Sequence, residues 1–168
     1  MSERRNGIKH FTASALIEHQ GRFLLLYHQK LGMWLYPGGH IEANEEPQDA
    51  IAREVKEETG LSASILSCGL STDATLSLPI ETVSELEVPL TILCERIHED
   101  DGGQHWHIDM IYLCRLETSE VTTLDERADF KWVTPQEAET LSCPPELSSL
   151  MRRGLTVLDR YLEMMGGS

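Results

Sequence analysis

Three glutamates, Glu54, Glu57 and Glu58, stand at i, i+3 and i+4 between Pro47 and Gly60. On a helix this spacing places their carboxylates on one face. Like charges at that spacing oppose helix formation, so a counter-charge is needed to offset them. A hard divalent cation supplies it, and an all-oxygen donor set favours Mg²⁺ or Mn²⁺ over zinc. The plain alternative is a solvated acidic helix face. Two neighbours favour the cation. A Pro37-Gly38-Gly39 turn precedes the helix and can bring backbone carbonyls close to a metal, and Arg53 can pair with Glu45 to hold the loop against the helix.

The elements that must position these groups are legible in outline. Pro47 suits the first turn of a helix that runs to about Thr59, where Gly60 stops it. Ile51 and Val55 turn toward an adjacent face that can pack on a sheet. Phe11 to Ile17 and Arg22 to Gln29 alternate as two strands about Gln20-Gly21. Thr91 to His98 and His105 to Leu116 form a hairpin across Asp101-Gly102-Gly103. Phe130 to Val133 is a last strand, and Pro144-Pro145 opens a final helix striped by Leu147, Leu150, Met151, Leu155, Leu158 and Leu162. Residues 62–89 read as strands joined by long loops. Strands, a helix, more strands and a last helix indicate an α+β fold. Residues 1–10 are expected to be a flexible arm, and 11–168 one domain ending in the helix.

If His98 pairs with His105, one hairpin face carries Cys94, Arg96, His98, His105, His107 and Asp109, and the other carries Leu93, Ile97, Trp106, Ile108, Met110 and Tyr112 as core. The polar face has three readings: a solvated surface, a zinc site, or a substrate wall in which Arg96, His107 and Asp109 meet phosphate or a base. His28 alternates with Leu24 and Leu26 and is a further candidate for that wall.

Composition limits the partners. The 168 residues hold 14 Lys+Arg against 28 Asp+Glu, a net charge of −14. Such a chain repels polymeric nucleic acid and anionic membranes at long range, and needs a local cation to handle phosphate. The cysteines Cys68, Cys94, Cys114 and Cys143 lack C-x-x-C spacing, and the reading is reduced thiols in a cytoplasmic protein. The polar start gives no signal peptide, and no apolar run is long enough to span a membrane.

The stretch GHIEANEEPQDAIAREVKEETGL, Gly39 to Leu61, resembles the Nudix box, G-x5-E-x7-R-E-U-x-E-E-x-G-U with U a bulky aliphatic residue. Gly39, Glu45, Arg53, Glu54, Val55, Glu57, Glu58, Gly60 and Leu61 fill every fixed position. The resemblance implies an α/β/α sandwich on a central mixed sheet, and Mg²⁺-dependent hydrolysis of a nucleoside diphosphate linked to a group X, such as a nucleoside triphosphate or nucleotide sugar. It implies metal ligation by Glu54, Glu57, Glu58 and the Gly38 carbonyl, and a structural ion pair between Glu45 and Arg53. It also implies a further carboxylate before the last strand, for which Glu126 is the first candidate and Asp125 the second. Glu57 and Glu126 are the alternative general bases. The partner is then a small phosphoanhydride substrate, and a homodimer is compatible with the chain. A non-catalytic nucleotide-sensing module on the same fold is the competing reading. An isoprenyl diphosphate isomerase is a third, but it needs a catalytic cysteine that neither Cys68 nor Cys94 provides.

Overall fold

The computed structural model describes residues 7–66, 83–98, 103–116 and 128–166, with side chains through residue 163 in the last stretch. Its centre is one sheet. β1 (Lys9–His19) turns at Gln20-Gly21 into the antiparallel β2 (Arg22–His28), followed by the short β3 (Met33–Leu35) and β4 (Gly38–His40). α1 spans Pro47–Thr59. β5 (Ala63–Ile65), β6 (Thr91–His98), β7 (Gln104–Leu116) and β8 (Phe130–Val133) follow, and α2 (Pro135–Ala138) and α3 (Leu147–Gly166) close the chain. The main path of the sheet runs β3-β2-β1-β7-β5, with β4 on β1, β6 on β7 and β8 on β2. The pairing of β1 with β7 is parallel and the rest are antiparallel, which makes the sheet mixed.

Alternation in β1 separates the two faces. Leu16 points to one side, with Phe23, Leu25, Ile111 and Leu113, and this side is covered by α3 through Leu147, Leu150, Met151 and Leu158. Gly154 lets α3 lie close to the sheet, since a Cβ there would sit 3.3 Å from Leu16 and Leu113. Ala13, Ala15 and Ile17 point to the other side, where Ala50, Ile51 and Val55 of α1 cover them with Leu24, Tyr112 and Cys114. The result is the α/β/α sandwich expected. Fully burying each large aliphatic side chain contributes about 1.5–3 kcal/mol, so the two cores fix both helices against the sheet.

α1 begins and ends where the sequence reading puts it, with Pro47 in the first turn and Gly60 in the left-handed conformation at φ 76°. β8 also matches. Two expectations are corrected. The first strand starts at Lys9, inside the segment read as an arm, because Lys9 and His10 pair with Trp106 and His107 of β7; residues 1–6 lie outside the described residues.

The hairpin register is the second correction. His98 pairs with Gln104 rather than His105, so Ile97 faces His105, Glu95 faces His107 and Leu93 faces Asp109. A slip of one residue moves every side chain to the opposite face. Both strands carry apolar residues at both parities, so alternation alone does not decide the register. Packing decides it: Leu93 joins the core under α3, and β7 is aligned along its length with β1. Among the described residues, no helix is long and apolar enough to cross a membrane.

Candidate active site

The box is built around Arg53. Its Nε donates to Glu45 Oε1 at 2.8 Å and its Nη2 to Glu45 Oε2 at 2.9 Å, a two-pronged pairing that fixes the loop before α1. Nη2 also donates to the His40 carbonyl at 3.0 Å, and Nη1 to Glu54 Oε1 at 2.7 Å. The Glu42 N–H donates to Glu45 Oε2 at 2.9 Å. The Arg53 bonds and then the Glu42 N–H hold the Glu45 carboxyl down at about 2, so it is ionised at any working pH. Glu45 and then Glu54 push the Arg53 guanidinium further up.

Glu54, Glu57 and Glu58 share a side of α1 next to the buried stripe of Ala50, Ile51 and Val55, as their spacing requires. Glu57 lies 3.5 Å from Arg53 Nη1 and is 61% exposed. Glu58 accepts from the Gly38 N–H at 3.0 Å. Burial, then the charges of Glu54 and Glu57, push Glu58 up to about 7 against the opposing Gly38 bond. Close backbone approach explains the paired glycines. A Cβ on Gly38 would lie 2.7 Å from the Ala13 carbonyl oxygen and 2.7 Å from Ser14 Cα, and a Cβ on Gly39 would collide with the Glu54 carboxylate.

A cavity of about 520 Å³ opens beside this corner. Gly38, Gly39, His40 and Glu58 border it at one end, and Tyr27, His28, Leu31 and Met33 at another. Its floor is polar. Asp109, 3% exposed, accepts from Thr12 and Ser14 hydroxyls at 2.9 and 2.8 Å, and from Tyr36 Oη at 3.4 Å. Burial raises the Asp109 carboxyl, and those three bonds oppose the rise. Glu95 lines the same floor. Burial, with Asp109 and Glu146 adding, lifts it to about 7, and its Oε1 is buried without a hydrogen-bond partner among the described residues.

The structure brings Gly38, Glu45, Arg53, Glu54, Glu57 and Glu58 together, and puts His28, His107 and Asp109 on the cavity wall. Arg96 is not with them. The register slip turns it to the opposite face of the sheet, where its guanidinium stacks over Trp106 at 4.9 Å. Asp125 and Glu126 lie outside the described residues. Sequence reasoning missed Glu95, because the expected register put it on the wrong face. It also missed Tyr36, Thr12, Ser14, His10 and His40. For His10, Thr12 and Ser14 the local signal was polar residues at alternate positions of β1.

Comparison with known proteins places this geometry. The model of the NUDIX domain matches residues 9–153. Over 56 residues, 32% of this chain, the sequence is 41% identical to the phosphatase NudJ of Escherichia coli K12, and the match spans 37% of that protein. A hydrolase of the NUDIX family from Clostridium perfringens superposes with a TM-score of 0.70 at 27% identity, covering 89% of this chain and 97% of that one. An Ap4A hydrolase from C. elegans superposes with a TM-score of 0.58 at 20% identity, over 90% of this chain and 99% of that one, a likeness of fold.

Proposed function

Since the chain belongs to the NUDIX family, we propose that it is a Mg²⁺-dependent pyrophosphohydrolase that opens a phosphoanhydride bond in a nucleoside diphosphate carrying a further group. The observation that supports this most is the carboxylate trio of α1, locked by Arg53 beside the Gly38-Gly39 turn at the rim of a cavity of about 520 Å³. A cavity of that size suits a nucleotide.

The donor set fits a hard cation. Glu54, Glu57, Glu58 and the Gly38 carbonyl offer oxygen only, and Glu58, raised to about 7 by burial and then by Glu54 and Glu57, sits where a cation would be favoured. When bound, Mg²⁺ supplies charge neutralisation at phosphate oxygens and makes water more acidic. Mn²⁺ fits the same oxygens.

The chain's own residues do the rest. Arg53 fixes Glu54 and Glu45, so the loop and helix present one geometry to the substrate. Glu57, the exposed member of the trio and only loosely paired with Arg53 at 3.5 Å, takes the proton of a water attacking in line with the leaving group. Glu126 is the alternative base. Tyr27, 40% exposed on the cavity wall, offers a ring for a nucleobase, and His28 and His107 flank the space between base and phosphates. The acidic chain then works on small phosphoanhydrides in the cytoplasm and not on polymeric nucleic acid or membranes.

The test is product release from a nucleoside triphosphate, a nucleotide sugar and Ap4A, with and without Mg²⁺. Turnover of at least one substrate that needs Mg²⁺ or Mn²⁺ and survives a zinc-selective chelator is expected. Binding without turnover of any of them would point to the sensing module, and full activity in metal-free buffer would refute the metal assignment.

A further inference from the structure

Four imidazoles meet on the cavity side of the sheet. His10 of β1 pairs with His107 of β7 in the parallel ladder, His40 of β4 pairs with Thr12 two residues along β1, and His105 lies two residues before His107. All four therefore project from one face. One nitrogen from each of His10, His105 and His107 lies within 4.8 Å of the others. His105 Nε2 and His107 Nε2 face each other at 3.0 Å, and His40 Nε2 lies 3.3 Å from His10 Nδ1.

The 3.0 Å between His105 and His107 is close to the spacing of two ligands on one ion, and His10 stands within reach of the same point. With zinc–nitrogen bonds of 2.0–2.1 Å, tetrahedral geometry sets neighbouring nitrogens about 3.3 Å apart. Neutral rings are the form that ligates a metal. An all-nitrogen set selects a borderline cation over Mg²⁺, so this chemistry differs from that of the trio.

We propose that His10, His105 and His107 bind one borderline divalent cation, Zn²⁺ or a congener such as Co²⁺, with His40 as the residue that positions His10. His40 engages His10 Nδ1, which leaves Nε2 of that ring for the ion, the arrangement by which ligating histidines are commonly oriented. His40 is itself tied to the Nudix box, since its carbonyl accepts from Arg53. The ion clips the start of β1 to β7, and with three protein ligands it keeps a fourth position for water. The carboxylate trio and its hydrolytic role do not enter this inference.

The experiment uses the full chain, stripped with a chelator, held in saturating Mg²⁺ and titrated with Co²⁺. One equivalent should produce the intense visible absorption of a tetrahedral cobalt centre and raise the melting temperature. His105→Gln and His10→Gln should each weaken Co²⁺ by more than about 10-fold and remove the band, while circular dichroism shows both variants folded. Glu54→Gln should keep the band and the thermal shift. Absence of the band in the wild type, its survival in both histidine variants, or its loss in Glu54→Gln would each overturn the assignment. The Glu54→Gln outcome separates this site from the carboxylate trio.

Discussion

A three-glycine series separates what holds the loop from what runs the chemistry. In Gly38→Ala the new Cβ meets main chain, 2.7 Å from the Ala13 carbonyl and 2.7 Å from Ser14 Cα, at a φ of +156°. Relief requires β4 to move off β1, which breaks the Ser14–Gly38 pairing and the Gly38 bond to Glu58. Overpacking costs about 1–3 kcal/mol and a lost backbone bond about 1 more, so the loss should be about 2–4 kcal/mol. At this chain length that lowers the melting temperature by roughly 5–15 °C. In Gly39→Ala the atoms nearest the Cβ all belong to the Glu54 carboxylate, which can swing away from Arg53. Stability should fall by less than about 1 kcal/mol, while displacing a ligand by about 1 Å should cut kcat on the order of 100-fold. Gly60→Ala is the control: its φ is +76° with open space around the Cβ, so it pays about 1 kcal/mol of left-handed strain and leaves kcat alone. Urea melts and Mg²⁺-dependent turnover on all three variants give the answer. Wild-type kcat in Gly39→Ala, or a Gly38→Ala no less stable than Gly60→Ala, would refute the reasoning.

Three further outcomes follow from the site. Glu54→Gln and Glu58→Gln should lower kcat by orders of magnitude, and near wild-type turnover in either removes its ligand role; without Mg²⁺, Glu58→Gln should keep or slightly raise stability because it relieves repulsion along α1, whereas Glu54→Gln also gives up its ion pair with Arg53 and should not gain. Glu126→Gln compared with Glu57→Gln in a rate-against-Mg²⁺ titration distinguishes base from ligand: a lower plateau at unchanged Mg²⁺ requirement marks the base, a shifted requirement marks a ligand, and an unchanged Glu126→Gln curve takes that residue out of the site. Burial lifts Glu95 from 4.5 to about 7, so the folded chain keeps a proton that the unfolded chain releases between those values. Its contribution to stability is full below pH 4.5 and is lost as pH rises through 7. The unscreened size is about 3 kcal/mol, which partial solvent exposure cuts to roughly 1–2. Glu95→Gln should therefore gain that much on the wild type between pH 5 and pH 8 in urea melts, and a pH-independent difference would contradict the burial.

Local rules carried the sequence reading of α1 to its ends. Pro47, the Ile51 and Val55 stripe and Gly60 all act within a few residues of where they stand, and so does the pairing of Arg53 with Glu45. The same holds for β8 and for the apolar stripe of α3. The cavity floor was hidden because its partners are distant in sequence. Thr12 and Ser14 reach Asp109 only through the parallel pairing of β1 with β7, and no turn or cap announces that pairing. Leu93, Cys94 and Ile97 place apolar side chains on both faces of β6, so Arg96 and Glu95 exchanged sides with one step of register. His10 stood beside a polar terminus and looked like part of it. Its place in the histidine cluster comes from the ladder with His107.

The most direct measurement is a crystal structure with Mn²⁺ and a nucleotide whose scissile bridge is non-hydrolysable, with Mn²⁺ located by anomalous scattering. The expected result is Mn²⁺ about 2.1 Å from carboxylate oxygens of Glu54, Glu57 or Glu58, also touching phosphate oxygens, with the nucleoside in the cavity near Tyr27. Mn²⁺ bound away from all three glutamates, or phosphates seated far from the Gly38-Gly39 turn, would contradict the assignment of α1 as the catalytic metal helix.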